Sequence, residues 1–337
     1  MIQLGIRDLV KYPFLAETGE YLRDKGFNLE QLGHPDWKPL VEKAYGRIMV
    51  ATTGQIYGSV AEDFENMDSE ILSFVIAVIL LKSAGIPTLI KRFSLSEARR
   101  AERYLQRDLQ KKNEAALELP LKIMHDLFSI KIVRERDDFV ISVSDYLRHA
   151  IHFHEKEWKL INRRVKNGSV FLTARETVRL IRKELDGYIN SKIQIANIPY
   201  IPDTFKERTN DLSLLAKKFS EYVTISSDFP PCIKHAIDVL DKGENLPHSG
   251  RFMLATFLLS KGQTTDQIAP LFKNAPDYNE RITRYQLEHI AGSSGKGTRY
   301  SCPSCDKLKS ENLCFETPEC NGIINPSQFG TKRTTNA

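Results

Sequence analysis

The chain has 337 residues, 41% hydrophobic and 27% charged, which reads as a soluble globular protein with room for two or three domains. Its longest apolar run, Ile71 to Leu81, is about half of the roughly 20 residues that span a bilayer, and "MIQLGIRDLVKYPFL" lacks the order of a signal peptide. A cytoplasmic protein without a membrane partner is therefore expected, and its formal net charge of +5 permits an acidic partner without demanding one.

The first 120 residues read mainly as helix. "DSEILSFVIAVILLKSAG" is a buried helix with Asp68 or Ser69 as its cap and Gly85 at its end. "SLSEARRAERYLQRDLQKKNEAALEL" is a second, capped by Ser94 and stopped near Pro120. Lys91 to Lys112 carries eight basic and three acidic residues. It reads as a solvated face with ion pairs such as Glu97 with Arg100, nucleic-acid contact being the lesser option. "IKIVRERDDFVISVSDYL" then has two β-branched runs about a turn at Asp137-Asp138, and "EWKLINRRVKNGSVFLT" has two more around Asn167-Gly168, a strong hairpin signal. A helix capped by Thr173 follows. Residues 120–190 thus form a small α/β unit against a helical body. "IANIPYIPDTF" leaves that unit, and "NDLSLLAKKFSEYV" is a connecting helix.

The expected fold is mainly α. An N-terminal helical domain over 1–212 contains the α/β unit. A linker follows over 213–228, its polar "TISSDFPP" marking the main boundary. A C-terminal domain over 229–330 and a frayed tail, 331–337, complete the chain. Beyond the boundary the helices are short: "PPCIKHAIDVL", "HSGRFMLATFLLSKG", "TTDQIAPLF" and "DYNERITRYQLEHIAG". They bury little apolar surface, and small domains often recruit a metal as a staple.

Four of the five cysteines lie close together near the C-terminal end, at Cys302, Cys305, Cys314 and Cys320. In a cytosolic protein such a cluster implies metal binding or redox chemistry rather than disulfides. All four could hold one tetrahedral zinc ion, leaving Cys232 as a buried thiol. Alternatively, Cys232 joins three of them. It follows Pro230-Pro231 in a first helical turn, where the helix dipole favours a thiolate, and an iron–sulfur cluster imposes no short spacing on all four of its thiolates. Spacing leaves both open.

The residues between the cysteines go further. "PPCI", "GENLPHSGRF", "PDYNERITRYQLEHIAG", "YSCPSC", "NLC" and a final cysteine, in this order and at these separations, resemble the C-terminal domain of the archaeal and eukaryotic DNA primase large subunit. The resemblance is sharp from about Phe229 to Phe329. It is weaker before that, where "DLVKYPFLAETGEYL" and a helical body carrying an α/β unit also look like the archaeal form. It implies a [4Fe–4S] cluster held by Cys232, Cys305, Cys314 and Cys320. Cys302 is then supernumerary, although a modest loop shift could exchange it with Cys305. The last two ligands are closer together than in eukaryotic relatives, which shortens the closing loop.

The resemblance also implies a role: a non-catalytic subunit that positions template and initiating nucleotide for RNA primer synthesis by a small catalytic partner, near the nucleoid if archaeal. The sequence agrees that polymerisation happens elsewhere. Two-metal transfer needs converging carboxylates on Mg²⁺ or Mn²⁺, expected here on the partner. "EDFE" (Glu62 to Glu65) reads as a solvated face and Asp137-Asp138 as a turn. Taken alone, His248 is a helix cap and Arg251 a surface ion pair; in the family the equivalent pair lies on the 5′-triphosphate side, where guanidinium, imidazole and a helix start suit phosphate. Arg281, Tyr285 and His289 fall at i, i+4 and i+8 on one helix face beside Arg284, a row suited to single-stranded template. Lys296 and Arg299 on the Gly-rich loop could add phosphate contacts. The alternative is a zinc-ribbon nucleic-acid-binding protein outside replication; a third class, an iron–sulfur redox enzyme acting alone, has no second cofactor motif to support it.

Overall fold

The computed structural model describes residues 4–53, 55–58, 66–111, 113–151, 153, 156–196, 203–222, 229–241, 244–275, 278–294 and 297–330. The chain divides into two compact units, Met1–Ala216 and Lys217–Ala337. It is mainly α, with one small sheet among the described residues. No helix among them is long and apolar enough to cross a membrane. Glu62 to Glu65, Lys112, Lys296, residues 223–228 and residues 331–337 lie outside the described residues.

In the first unit the apolar run forms the Met67–Ala84 helix. Its cap is Asn66, whose Oδ1 accepts the Ser69 N–H at 2.9 Å, rather than Asp68 or Ser69. Gly85 ends it in the left-handed conformation, as expected (φ 63°). The next helix departs from its sequence reading. It spans Pro87–Gln110, with Pro87 in its first turn and Ser94 inside it. Ser94 is buried and its hydroxyl donates to Asp186 Oδ1 at 2.5 Å.

This basic helix is not a solvated face. Glu97, Arg99 and Arg100 are all buried. Arg47 donates from Nε and Nη2 to the two Glu97 oxygens at 2.7 Å each, with the side chains 1% and 2% exposed. Arg47 Nη1 also donates to Ser73 Oγ at 2.9 Å. Arg100 lies 4.0 Å from Glu97 and donates to the carbonyls of Val10 and Lys11. Burial works to raise the Glu97 carboxyl, but the Arg47 guanidinium outweighs it and holds the group below its ordinary range. Charge counting along the helix saw only partners one turn away, whereas the decisive ones come from distant segments. The N-terminal "LVKYPF" stretch docks on the same helix: Lys11 Nζ and Tyr12 Oη donate to buried Asp108 at 3.2 and 3.3 Å.

A new helix begins at Asn113, whose Oδ1 accepts the Ala115 N–H at 3.1 Å, and runs over Glu114–Phe128 through Pro120 rather than stopping there. The sheet has antiparallel strands β1 (Ile132–Glu135), β2 (Asp138–Ser142), β3 (Val165–Lys166) and β4 (Ser169–Leu172), in the order β1-β2-β4-β3. Phe139, Ile141, Val170 and Leu172 alternate onto its buried face. The β1–β2 turn centres on Arg136 (φ 59°) and Asp137, one residue before the expected place, because Asp138 pairs with Glu135. Asn167 and Gly168 both take positive φ (49° and 73°), which is what a two-residue hairpin demands. Thr173 caps the Ala174–Leu180 helix in a reciprocal box with Glu176, and a break at Ile181 starts the Arg182–Ile195 helix. Residues 213–222 of the expected linker belong to the Asp203–Tyr222 helix.

The second unit packs the helices Pro231–Asp241, His248–Ser260, Thr265–Ile268, Glu280–Ala291 and Cys305–Ser310 around one core. Ile233, Leu254, Phe257, Leu258 and Ile268 are fully enclosed in it. Phe229 meets Phe257 edge-on at 5.3 Å, fixing the start of the unit.

Candidate functional site

Two cavities in the second unit gather the chemistry-bearing residues. The first holds thiols. Pro231 opens a helix that places Cys232 in its first turn, 8% exposed. Ser304 caps the Cys305–Ser310 helix by accepting the Lys307 N–H at 3.3 Å. The Cys305 N–H donates to the Ile324 carbonyl at 2.8 Å, tying this helix to the last loop. Leu313 anchors the next segment in the core and so carries Cys314 inward. Cys320 ends a turn begun at Pro318.

Cys232, Cys305, Cys314 and Cys320 all line one cavity of about 170 Å³. Cys302 is not among its lining residues; its Sγ sits 3.9 Å from the Met253 carbonyl, to which it donates. Among the described residues no three His, Cys, Asp or Glu side chains converge closely enough to hold a single ion. The thiols stand instead around the walls of a space about ten times the 10–15 Å³ that admits one water. Four cysteines around such a space fit the one-thiolate-per-iron requirement of a cubane cluster.

The electrostatics of Cys232 differ from the sequence expectation. Burial, reinforced by Cys302, pushes its thiol up to about 12 despite its place at a helix start. Desolvation outweighs the dipole because the side chain faces the core. Burial also raises the Cys302 thiol, to about 11, and raises the Cys305 thiol, with the nearby Cys314 and Cys320 sulfurs acting on Cys305 in the same direction. Thiols held protonated in this way become thiolates when a metal coordinates them.

The second cavity, about 340 Å³, is lined by His248, Arg251, Tyr285 and His289, together with Phe252 and Tyr300 on an otherwise mostly apolar wall. His248 is not a cap: Pro247 takes that position, and exposed His248 is the first helical residue. The N–H groups of that first turn lack intrahelical acceptors. Arg251 is held in place, its Nε donating to the Leu246 carbonyl and its Nη2 to Asn245 Oδ1, both at 2.7 Å. Gly250 lets the buried Leu246 side chain pack close, since a Cβ there would lie 2.9 Å from Leu246 Cδ1 and push it aside.

Tyr285, His289, Tyr300 and Phe252 form a continuous row of rings with centroid separations of 6.5, 5.5 and 5.8 Å. Tyr285 is 63% exposed, so it presents its ring rather than packing inward. Tyr300 and Phe252 escaped the sequence reading. Tyr300 reaches the row because the chain turns back after the helix: its N–H donates to the Ile290 carbonyl at 3.1 Å. Gly292 (φ 78°) permits this reversal, as a Cβ there would lie 3.1 Å from backbone atoms of Gly297 and Arg299. A Gly-rich loop followed by "RY" was the available signal.

The remaining candidates are less engaged. Arg281 is exposed and does not line the cavity. Arg284 is also outside it, ion-paired with Asp266 and 3.9 Å from Glu280. Arg299 donates to the Leu259 carbonyl at 2.7 Å and so clamps the loop.

Comparison with known proteins agrees along the chain. Residues 224–331 match the family described as the C-terminal domain of the eukaryotic and archaeal DNA primase large subunit. The chain is 31% identical to the DNA primase large subunit PriL of Methanocella arvoryzae, covering 96% of this chain and 87% of that protein. It is likewise 31% identical to PriL of Methanosarcina barkeri, covering 96% and 78%, and 27% identical to PriL of Halobacterium salinarum, covering 95% and 91%.

Proposed function

Because the chain belongs to the DNA primase large-subunit family, we propose that it is the non-catalytic subunit of a heterodimeric primase, holding template and the initiating nucleotide for a small catalytic partner during primer synthesis in DNA replication. The observation that carries this reading is the 340 Å³ cavity joining His248, Arg251, Tyr285 and His289. A guanidinium and an imidazole at a helix start offer charge and N–H donors to a triphosphate. The adjoining ring row offers stacking surfaces to unpaired bases. Arg251, anchored by two hydrogen bonds, meets phosphate without first losing side-chain freedom. Exposed Arg281 attracts the template backbone from outside the cavity, and half-exposed Arg284 joins it where phosphate displaces Asp266. The helical body and α/β unit dock the small catalytic partner, which carries the Mg²⁺ or Mn²⁺. The complex works in the cytoplasm, at the nucleoid.

Cys232, Cys305, Cys314 and Cys320 hold a [4Fe–4S] cluster. When bound, that group supplies four metal–thiolate links that tie the tail to the Pro231–Asp241 helix. Two features support this set over a zinc ribbon made from the tail alone: Cys232 lines the thiol cavity and Cys302 does not. The residues' share in the reaction is positioning, which lowers a barrier by making a bimolecular encounter local.

Binding of 5′-triphosphate and 5′-hydroxyl oligonucleotides tests the reading. The wild-type chain prefers the triphosphate. Arg251→Ala loses that preference by about tenfold or more, the scale of one charge-assisted contact, while its affinity for the hydroxyl form changes little. Equal affinity of the wild-type chain for both would overturn the assignment.

A further inference from the structure

The thiol cavity has a feature that ligation alone does not require. His235 lies three residues after Cys232 on the same helix, hence on a neighbouring part of its surface. Phe315 directly follows Cys314 on a segment without regular structure and lines the cavity. The two rings meet with centroids 3.8 Å apart and planes inclined by 33°. The other ring pairs described in this unit are separated by 5.3 Å or more.

We propose that His235 and Phe315 form an aromatic latch that retains the metal cluster, acting as positioning residues for Cys232 and Cys314. This rests on the cluster reading above. A cluster leaves only when the segments bearing its thiols part. Cys232 sits on a helix anchored by buried Ile233, Ala236, Ile237 and Leu240; Cys314 sits on a segment without regular structure. Leu313 fixes that segment on one side, its N–H donating to the Leu308 carbonyl at 2.8 Å. Beyond Cys314 lies an ion pair, Lys309 with Glu316 at 2.7 Å, whose side chains are half exposed or more; pairs of that kind hold little. The ring contact instead joins the Cys314 segment directly to the Cys232 helix. It also sets an apolar ring over the cavity wall, which slows the entry of water and chelators. Phe315 is 37% exposed, so most of its surface is covered.

The test uses the full chain purified without oxygen. Excess EDTA is added anaerobically, and iron release is followed together with the loss of the brown visible absorbance. His235→Ala and Phe315→Ala should release iron about two- to tenfold faster than wild type, the range that one aromatic pair contributes. His235→Phe, which keeps a ring, should restore the slow rate. The double alanine variant should be no faster than the faster single variant, since one contact is removed only once. If an alanine variant takes up no iron, His235→Phe and Phe315→Leu carry the comparison: slow release for the first and fast release for the second. Wild-type rates in both alanine variants, or a His235→Phe variant as fast as His235→Ala, would overturn the latch. A wild-type chain that carries no iron would overturn the cluster reading first, so the two failures are distinguishable.

Discussion

Arg47 and Glu97 set the tone at the scale of single residues. Both sit almost wholly out of water and share two hydrogen bonds, so each is tolerable only because of the other. Glu97→Gln should cost about 3–5 kcal/mol by leaving a buried guanidinium uncompensated, read as a fall in the denaturant midpoint with an unchanged slope. The carboxyl lies below its ordinary range when folded. Its contribution is therefore complete above the unfolded-state value of about 4.3 and is lost as pH falls through the folded value. The wild-type advantage over Glu97→Gln should accordingly shrink on acidification below pH of about 4. At the 340 Å³ cavity, the grouping of His248, Arg251, Tyr285 and His289 was legible because motif and helical spacing mark them. Tyr300 and Phe252 were not, since they join the row only when a loop folds back on a helix. Arg284, expected beside the template row, is paired with Asp266, eighteen residues earlier.

Elements were legible where local chemistry decides them. Asn167-Gly168 dictates its hairpin because few residues accept two successive positive φ values. Asn167→Val should cost about 1–2 kcal/mol for that reason, and Thr173→Ala about 1 kcal/mol through its capping box; thermal unfolding of the full chain measures both. Elements were misread where tertiary packing overrides a local signal. Ser94 resembles a cap, yet it lies mid-helix because its hydroxyl finds Asp186 on another helix. Pro120 resembles a stop, yet the Glu114–Phe128 helix passes through it with Leu117, Pro120, Ile123 and Met124 buried on one side. Packing of that face outweighs one missing hydrogen bond. The cysteines belong between these cases. Their number and kind were plain, but which thiols share a cavity depended on how the Cys305–Ser310 helix is tied to Ile324.

Over the whole molecule, the two units have separate cores, and the family match to residues 224–331 falls wholly within the second. A fragment from Lys217 onward should therefore fold alone, take up iron anaerobically and keep the preference for 5′-triphosphate ends. A colourless fragment that binds both ends equally, alongside a competent full chain, would show that the first unit completes the site. The polar stretch at residues 224–228 should set the reach of the second unit. Shortening it should lower initiation or alter primer length when the catalytic partner is present, and unchanged products would count against that role.

What the amino-acid order determined by itself was the helical class, the hairpin, the caps at Gly85 and Thr173, and the family, because these rest on short-range conformational preferences and on motifs in series. Only the folded chain decided that the basic helix is buried, that Cys302 stands apart from the four-thiol cavity, and that Tyr300 and Phe252 extend the ring row. Each of those depends on which distant segment arrives beside a residue, and burial and partners at that range leave no mark on local periodicity or spacing.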